Sequence, residues 1–418
     1  MSEANYYQKV YYHRPGTEQS EDRLLYERPD QKEWGFHAGF SEDGQWLVMT
    51  IWKGAGGKNG LFYRPANADD GEWVELFNRF DGDYMFVGNN DDVFYIWTDR
   101  GAANGQLVAV DLDRPEKNFW RSIVAESQQR IASINLFGEE AVVEYLEDAR
   151  SRVAVFDLNE SNRLVREVEL PGMGSVNGFG GYRADRETYY TFTGFTDPGT
   201  VYRYDTETGE SSLYWRPELK FDPADFETRQ EFVTSKDGTK VPVFLVHRKG
   251  LAMDGERPVY QYGYGGFNVD MTPSFSVSNL VWMERGGVYA QAVLRGGSEY
   301  GRTWHDAGKR ENKQNVFDDF IAVSEWLIAQ GITRSEKLAI GGGSNGGLLV
   351  GACMTQRPEL FGACVPAVGV MDMLRFQKFT IGWAWQEEYG YPEKSADDFR
   401  VLRAYSPYHN IEKGVCYP

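Results

Sequence analysis

A strand pattern that recurs along the first half of the chain limits the folds it can adopt. Short alternating runs of aromatic and β-branched residues are separated by turn clusters such as Asp69-Asp70-Gly71 and Glu207-Thr208-Gly209. Strands open at Leu61-Phe62-Tyr63, Leu107-Val108, Val153-Ala154 and Val201-Tyr202, and a looser copy begins at Val10-Tyr11-Tyr12. The spacing of roughly 45 residues predicts an all-β propeller domain with about four to five blades. An ordinary β-sandwich also has short, evenly spaced strands, but this period favours the propeller.

The pattern changes near Pro217 to Phe226, after which strand-like runs alternate with helical ones. Buried parallel strands are predicted at Val241 to Val246, Val259 to Tyr262, Val288 to Leu294 and Leu338 to Ile340. Between the last two, one helical face carries Phe317, Phe320, Ile321, Leu327 and Ile328. Alternating strands and helices indicate a parallel sheet covered on both faces. We therefore place a partial propeller domain at residues 1–222 and a partial α/β domain at 223–418.

Charge and composition exclude several classes of function. A formal net charge of −18 would repel a nucleic-acid backbone, so nucleic acid is not an expected partner. No apolar run approaches the roughly 20 residues needed to cross a bilayer, so a membrane is not expected either. The three cysteines, Cys353, Cys364 and Cys416, are too few for a disulfide framework or a structural zinc site. A reducing compartment is therefore expected.

The strongest chemical signal is the G-x-S-x-G sequence Gly342-Gly343-Ser344-Asn345-Gly346. It follows the predicted strand Leu338 to Ile340 and precedes the helix-forming stretch Leu348 to Gln356. In this setting the serine stands on a strained turn that projects its hydroxyl, and the helix N-terminus faces the oxygen of an attacked carbonyl. We predict that Ser344 is a nucleophile. The alternative is a glycine-rich turn that binds a phosphate or nothing at all.

Two other glycine clusters carry less information. Gly54-Ala55-Gly56-Gly57-Lys58 lacks the full spacing of a phosphate-binding loop, and Asn59 stands where Ser or Thr should follow. Gly172-Met173-Gly174 has no helix after it that could present N–H groups to a dinucleotide. We interpret the first as a connection within the propeller and the second as a turn.

A serine nucleophile needs a base, and in this fold the chain order is serine, acid, histidine. His409 follows Ser344, but it could act only with an acid from the same short stretch. Such an acid could be Asp372, Asp397 or Asp398. We do not favour this arrangement, because the acid and base normally lie on further strands after the nucleophile helix, and the domain is expected to be unfinished at Pro418. The earlier histidines are interpreted as structural: His13, His37, His247 and His305.

Four segments of the second half resemble the prolyl oligopeptidase family, and the similarity runs from about Tyr11 to Pro418. The segments are YGYGGFN at Tyr262 to Asn268, NKQNVFDDF at Asn312 to Phe320, GGSNGGLL at Gly342 to Leu349 and VGVMDM at Val368 to Met373. The resemblance implies an α/β-hydrolase domain beside the propeller. Such a set of motifs is highly specific.

By this resemblance, Ser344 is the nucleophile, and the oxyanion hole combines the Asn345 main-chain N–H with the Tyr264 hydroxyl. The resemblance also implies a proline pocket, lined by Phe267, Val370, Trp385 and Tyr389. For an isolated tryptophan a place in the core would be favoured, but the matched motifs around Trp385 favour the pocket. No metal ion or organic cofactor is expected.

The implied activity is that of a serine endopeptidase that cleaves short peptides on the carboxyl side of proline through an acyl-enzyme. A monomer in the cytoplasm is expected when the enzyme is complete, and a periplasmic location stays open. The family's triad Asp and His lie downstream of Pro418, so this chain alone is expected to be inactive. The alternatives are a related propeller hydrolase of dipeptidyl, acylaminoacyl or basic-residue specificity, and a non-catalytic propeller-containing binding protein.

Overall fold

Antiparallel strands account for the first half of the chain in the computed structural model, which describes residues 6–53, 58–67 and 71–418. The strands are β1 (Lys9–Tyr12), β2 (Arg23–Glu27), β3 (Trp34–Phe40), β4 (Trp46–Lys53), β5 (Asn59–Pro65), β6 (Val74–Phe77), β7 (Tyr84–Asn90), β8 (Val93–Thr98), β9 (Gln106–Asp111), β10 (Arg121–Val124), β11 (Arg130–Phe137), β12 (Glu140–Glu147), β13 (Arg150–Asp157), β14 (Leu164–Val168), β15 (Ser175–Gly180), β16 (Glu187–Gly194), β17 (Asp197–Asp205) and β18 (Ser211–Trp215). The glycines of the 54–58 cluster and the predicted turn at Asp69-Asp70 lie outside the described residues.

These strands form consecutive four-stranded blades. The sheets are β3 to β6, β7 to β10, β11 to β14 and β15 to β18, and each follows chain order. Strands β1 and β2 pair with each other as a separate two-stranded sheet. Within the described ranges this makes four full blades and one partial sheet, so the predicted propeller with about four to five blades is confirmed.

The recurring sequence pattern marks one particular strand of each blade. Leu61, Leu107, Val153 and Val201 lie in β5, β9, β13 and β17, which are the third strands. Most residues of β5 and β9 are buried. An interior strand that is covered on both faces reads as a near-continuous apolar run, which explains why the third strands gave the clearest repeat. Gly172-Met173-Gly174 connects β14 to β15, as predicted for a turn.

The second half contains one six-stranded sheet with helices packed against it. The remaining strands are β19 (Phe226–Thr234), β20 (Lys240–Arg248), β21 (Val259–Tyr262), β22 (Val288–Ala292), β23 (Leu338–Gly343) and β24 (Ala363–Ala367). The helices of the described residues are α1 (Val277–Glu284), α2 (Gly301–Asp306), α3 (Gln314–Ala329), α4 (Asn345–Gln356), α5 (Gln386–Tyr389) and α6 (Ala396–Tyr405). The sheet order is β19-β20-β22-β21-β23-β24, and β22, β21, β23 and β24 run parallel. The predicted α/β fold is confirmed.

One predicted strand direction was wrong. Val241 to Val246 lies in β20, which is buried as expected but runs antiparallel to both of its neighbours, β19 and β22. The reason is the length of the preceding connection. Residues 235–239 alone join β19 to β20, whereas a parallel crossover needs about a dozen residues or more.

Helix α3 covers the parallel strands as the sequence predicted. Phe317, Phe320 and Leu327 are fully buried in the core that α3 and α4 form with the sheet, Ile321 is nearly so, and Ile328 packs at its edge. This core holds the carboxyl end of β23 in place, where the motif serine follows. The last propeller strand ends at Trp215 and β19 begins at Phe226, so the predicted division at residues 222 and 223 falls in the connection between them.

Polar contacts join the propeller to the second domain. The contacts are Arg302 with Asp99, Arg130 with Asp270 at 3.1 Å, Tyr300 Oη with Asp148 Oδ1 at 2.7 Å and Ser175 Oγ with the Pro273 carbonyl at 2.8 Å. Beside them lies a cavity of about 350 Å³, lined by residues of both domains that include Asp83, Arg130 and His305. The two domains therefore meet through charged and polar groups that surround a cavity.

Glu299 is a buried acid next to this interface. It is 1% exposed, its Oε1 accepts a hydrogen bond from the Met271 N–H at 2.7 Å, and its Oε2 finds no partner among the described residues. Burial, together with the negative charge of Asp270, raises the pKa of Glu299 from 4.5 to about 8. The folded protein therefore keeps this carboxyl protonated at neutral pH.

The raised pKa predicts a pH-dependent stability. A carboxyl that binds its proton more tightly in the folded state stabilises the protein fully below about pH 4.5, and this stabilisation is lost as the pH rises toward 8. The loss is on the order of 4 kcal/mol. We expect Glu299→Gln to melt at the same temperature as the parent at pH 5 and at a higher temperature at pH 9, measured by scanning calorimetry.

Glu284→Gln, at an exposed position at the end of α1, provides the control and should leave the midpoint unchanged at both pH values. The account of Glu299 would be wrong if its variant changed the midpoint equally at pH 5 and pH 9.

Candidate active site

Ser344 stands alone between the end of β23 and the first residue of α4. Its backbone has φ 58° and ψ −114°, a conformation that a residue with a side chain rarely adopts, and its side chain is exposed. The Ser344 N–H is held by the Ala367 carbonyl of β24 at 2.9 Å. Strain of this kind costs about 1–3 kcal/mol and persists only where the surroundings impose it. The turn therefore projects the hydroxyl away from the sheet, as the motif predicted.

Close backbone approach explains the glycines around this turn. A Cβ at Gly342 would lie 2.4 Å from the Gly346 carbonyl oxygen, and one at Gly347 would lie 2.6 Å from the Ala367 oxygen. Backbone atoms at such distances cannot move aside for a side chain. Larger residues at either position would push α4 away from the sheet and displace the serine.

Two hydrogen-bond donors lie beside the Ser344 hydroxyl. Asn345 is the first residue of α4, so its N–H has no partner within the helix and lies at the positive end of the helix dipole. The Tyr264 side chain lies close enough to Ser344 for the serine hydroxyl to lower the pKa of the phenol. Burial raises that pKa by more, so the phenol stays protonated at neutral pH. The structure thus brings together the three residues predicted as catalytic.

Tyr264 begins a tight turn with unusual backbone angles. Gly265, Phe267 and Asn268 all have positive φ, at 61°, 56° and 58°. Two of these residues carry side chains, which disfavour this region. The turn lies against α4, because a Cβ at Gly266 would be only 2.5 Å from the side-chain Nδ2 of Asn345. Any loss of support for this turn would move Tyr264 relative to Ser344.

Aromatic rings predicted to form a pocket pack together next to this turn. The Phe267 ring centroid lies 6.4 Å from that of Trp385 and 5.4 Å from that of Tyr389, with the rings nearly perpendicular in both pairs. Phe267, Trp385 and Val370 are half-buried at the edge of the main core. Such edges and faces can accept a flat apolar ring.

Tyr389 has a different position from the other predicted pocket residues. It is 1% exposed, and its hydroxyl donates to Asn345 Oδ1 at 3.0 Å. The Asn345 side chain in turn donates from Nδ2 to the Tyr264 carbonyl at 2.6 Å. Tyr389 therefore lies behind Phe267 and supports the wall. The sequence motif assigned a role to the Asn345 N–H only, whereas its side chain also connects Tyr264 to Tyr389.

Three buried ionisable residues behind the turn were not predicted as site residues. Lys313, Glu388 and His305 lie within hydrogen-bonding or ion-pair distance of one another through Glu388. His305 was interpreted as structural, and neither Lys313 nor Glu388 was singled out. Lys313 does lie inside the motif Asn312 to Phe320, and a lysine beside an apolar helix face was the available signal. Its buried partner is 75 residues away in sequence and could not be read from spacing.

His409 makes its polar contacts with Ser406 and with an acid of the same stretch. Its Nδ1 forms a hydrogen bond with Ser406 Oγ at 2.8 Å and lies 4.0 Å from Asp372 Oδ1. Asp372 is itself paired with Arg375. These contacts occupy the ring nitrogen that an acid would have to orient in a triad.

In the described ranges, no group of three or more His, Cys, Asp and Glu residues is arranged to hold a metal ion. The helices of the same residues are all too short or too polar to span a bilayer.

Family models match both halves of the chain. The model described as "Prolyl oligopeptidase, N-terminal beta-propeller domain" matches residues 1–217, and the model described as "Prolyl oligopeptidase family" matches residues 273–417. The chain belongs to the prolyl oligopeptidase family. This agrees with the propeller, the α/β-hydrolase domain and the strained serine, and it confirms the family resemblance found in the sequence.

Individual members of the prolyl oligopeptidase family are similar over nearly all of this chain. A prolyl endopeptidase of Elizabethkingia meningoseptica is 41% identical over 410 residues, which are 98% of this chain and 57% of that protein. A solved structure from work on two prolyl endopeptidases has a TM-score of 0.92 and 43% identity, and the match covers 98% of this chain and 60% of that one. Prolyl oligopeptidase B of Galerina marginata, bound to a 25mer macrocyclization substrate, has a TM-score of 0.94 and 33% identity, with 99% and 58% covered. The chain therefore spans somewhat more than half the length of these relatives.

The contact between Tyr264 and Ser344 predicts a defined kinetic defect. Tyr264→Phe removes one donor from the forming oxyanion and leaves the ring in place. In the full-length enzyme we expect kcat to fall by about 10²–10³-fold with little change in KM, because the lost bond acts mainly in the transition state. Steady-state kinetics with a chromogenic peptide measures this.

Tyr262→Phe is a matched control, since it removes a phenol hydroxyl from the end of β21, two residues before Tyr264. It should change kcat less than about threefold, which is far below the loss expected when one oxyanion donor is removed. Equal losses of kcat in the two variants would show that the Tyr264 hydroxyl is not an oxyanion donor.

Proposed function

We propose that this chain supplies the nucleophile, the oxyanion donors and the proline pocket of a serine endopeptidase that cleaves short peptides on the carboxyl side of proline. The observation that carries the proposal is the exposed Ser344 at a strained strand-to-helix turn, with the Tyr264 phenol next to its side chain. The aromatic wall of Phe267 and Trp385 next to that turn supports the choice of proline. Two relatives named as prolyl endopeptidases, each similar over 98% of this chain, support it further.

The reaction follows from the positions of these groups. Ser344 Oγ attacks the carbonyl carbon of the prolyl residue and loses its proton to a base. The carbonyl oxygen becomes an oxyanion that accepts hydrogen bonds from the Asn345 N–H and the Tyr264 hydroxyl. The protonated base then gives its proton to the leaving amine, and water hydrolyses the acyl-enzyme by the reverse sequence. We assign the base to the Asp and His that the family resemblance places after residue 418.

The pocket chemistry favours proline over a basic residue. A pyrrolidine ring is flat and apolar and has no N–H to satisfy, so it fits between aromatic faces. An arginine would need an available carboxylate. Glu388 lies behind Phe267, but it is 2% exposed and already pairs with Lys313 and His305. We therefore propose short proline-containing peptides as substrates. A monomeric enzyme in the cytoplasm remains our proposal, and the free Cys353, Cys364 and Cys416 are compatible with a reducing compartment.

Paired reporter substrates test the specificity. The full-length enzyme should hydrolyse a peptide with proline before the scissile bond with a kcat/KM at least about 10²-fold above that of the matched arginyl peptide, since an arginine would leave its charge unpaired in an apolar slot. In the same full-length enzyme, a serine-directed phosphonate should label Ser344. A preference for arginine would contradict the proposal.

The aromatic wall gives a second test with a control in the same segment. Trp385→Ala should lower kcat/KM for the prolyl peptide by about 10–100-fold, because it removes apolar area that the ring would cover. Trp383 lies two residues away and packs on Tyr6 with ring centroids 5.2 Å apart. Trp383→Ala should leave the prolyl preference unchanged. The prolyl preference should fall in Trp385→Ala alone. If it fell in both variants, or in neither, contact of Trp385 with the substrate ring would be contradicted.

A further inference from the structure

A buried cluster of three ionisable side chains lies beneath the candidate active site. Lys313 is 1% exposed, Glu388 2% and His305 4%. Glu388 Oε2 lies 2.9 Å from His305 Nε2, and Glu388 Oε1 lies 3.5 Å from Lys313 Nζ. Charged groups this deep are stable only when they are paired and hydrogen-bonded. The three side chains therefore act as one unit with Glu388 at its centre.

The remaining hydrogen bonds of this cluster go to the main chain of the turn after Tyr264. Glu388 Oε1 accepts the Phe267 N–H at 2.9 Å, and Lys313 Nζ donates to the Gly265 carbonyl at 2.9 Å. Gly265 and Phe267 are two of the three positive-φ residues of that turn. A conformation that the backbone itself disfavours has to be imposed by its surroundings. The buried cluster supplies two such contacts, one on each side of Gly266.

Glu388 also belongs to the segment that forms the Trp385 side of the predicted proline pocket. It is in α5, directly before Tyr389 and shortly after Trp385. Through its bond to Phe267 it joins the segment that carries Trp385 to the turn that carries Tyr264. A shift of Glu388 would therefore change both the shape of the pocket and the position of the Tyr264 hydroxyl.

The groups around Glu388 keep its carboxyl ionised at neutral pH. Burial alone would raise its pKa, but the charge of Lys313 and the bonds from His305 and the Phe267 N–H outweigh burial and lower the pKa below 4.5. The carboxylate therefore remains an acceptor for the Phe267 N–H over the whole neutral range.

We propose that Glu388, held by Lys313 and His305, is a positioning residue that keeps the Tyr264 hydroxyl and the Phe267 wall in one geometry relative to Ser344. The inference rests on the proposed peptidase function. Glu388 does not contact substrate in this account and acts through the turn of residues 264–268. Transition-state stabilisation and proline selectivity should then depend on the same buried carboxylate.

The test is a set of variants of the full-length enzyme, assayed with prolyl and alanyl peptides that are otherwise identical. Glu388→Gln keeps the size and an acceptor oxygen but removes the charge that holds Lys313 and His305. We expect kcat for the prolyl peptide to fall by about 10–100-fold and the prolyl-to-alanyl ratio of kcat/KM to fall by about tenfold, as misplaced positioning groups cause. The Tyr264→Phe substitution should cost much less in the Glu388→Gln background than in the parent, because the phenol is already displaced.

Asp319→Asn is the matched control. Asp319 is also a fully buried carboxylate in this domain, but its side chain is bonded to Arg295 and Ser235. It should lower the melting temperature without changing the prolyl-to-alanyl ratio or the cost of Tyr264→Phe. If Glu388→Gln does not fold, Lys313→Met supplies the same measurements, since it removes the donor to Gly265 and leaves the Glu388–His305 pair.

Each outcome decides one question. The positioning role is overturned if the folded Glu388 or Lys313 variant behaves like Asp319→Asn, with an unchanged ratio and a full, additive cost of Tyr264→Phe. A parent enzyme without prolyl preference would contradict the proposed function instead. The interaction between Glu388 and Tyr264 would then still be measured on whichever peptide the parent hydrolyses.

Discussion

The close approach of three backbone segments at Ser344 determines much of the rest of the site. Strand β23 has to enter α4 within one residue, and the Ser344 N–H reaches the Ala367 carbonyl of the neighbouring strand. This geometry leaves no room for side chains at Gly342 or Gly347. The serine accepts a disfavoured backbone conformation, and its hydroxyl is exposed as a result. A well-packed sheet and helix core resists relaxation of that strain.

A second strained element depends on a different kind of support. The turn after Tyr264 has no regular secondary structure, and two of its residues with side chains, Phe267 and Asn268, have positive φ. Apolar packing is non-directional and would hold such a turn loosely, whereas hydrogen bonds from buried charges fix both distance and direction. Lys313 and Glu388 provide these bonds. Buried charge is costly for stability. We therefore interpret Lys313 and Glu388 as groups that fix the geometry of this turn and not as groups that stabilise the fold.

The same cluster lies close to the propeller. His305 lines the cavity between the domains, and it is in α2 together with Arg302, which pairs with Asp99 of the propeller. Residues three apart on a helix lie on the same face. One short helix therefore contacts the propeller through Arg302 and the support of the active-site turn through His305. The domain interface and the catalytic geometry share a structural element.

The sequence determined the parts of this protein that depend on local chemistry. Alternation and a repeat of roughly 45 residues identified the propeller, and helical periodicity identified the face of α3 that packs on the sheet. The glycines around Ser344 identified a strand-to-helix turn, because no other residues allow backbones so close. Family motifs named Tyr264, Phe267 and Trp385, which do lie together.

Tertiary structure decided what depends on partners far apart in the chain. Strand β20 is as apolar as a parallel strand, and its antiparallel direction followed from sheet order and a short connection. The family resemblance placed Tyr389 in the pocket, yet its burial behind Phe267 was set by packing. Glu388 looked like any helix glutamate, since nothing local distinguishes a solvated carboxylate from one paired with a lysine 75 residues away. Periodicity and motifs report on neighbours in sequence, whereas burial and charge pairing are properties of neighbours in space.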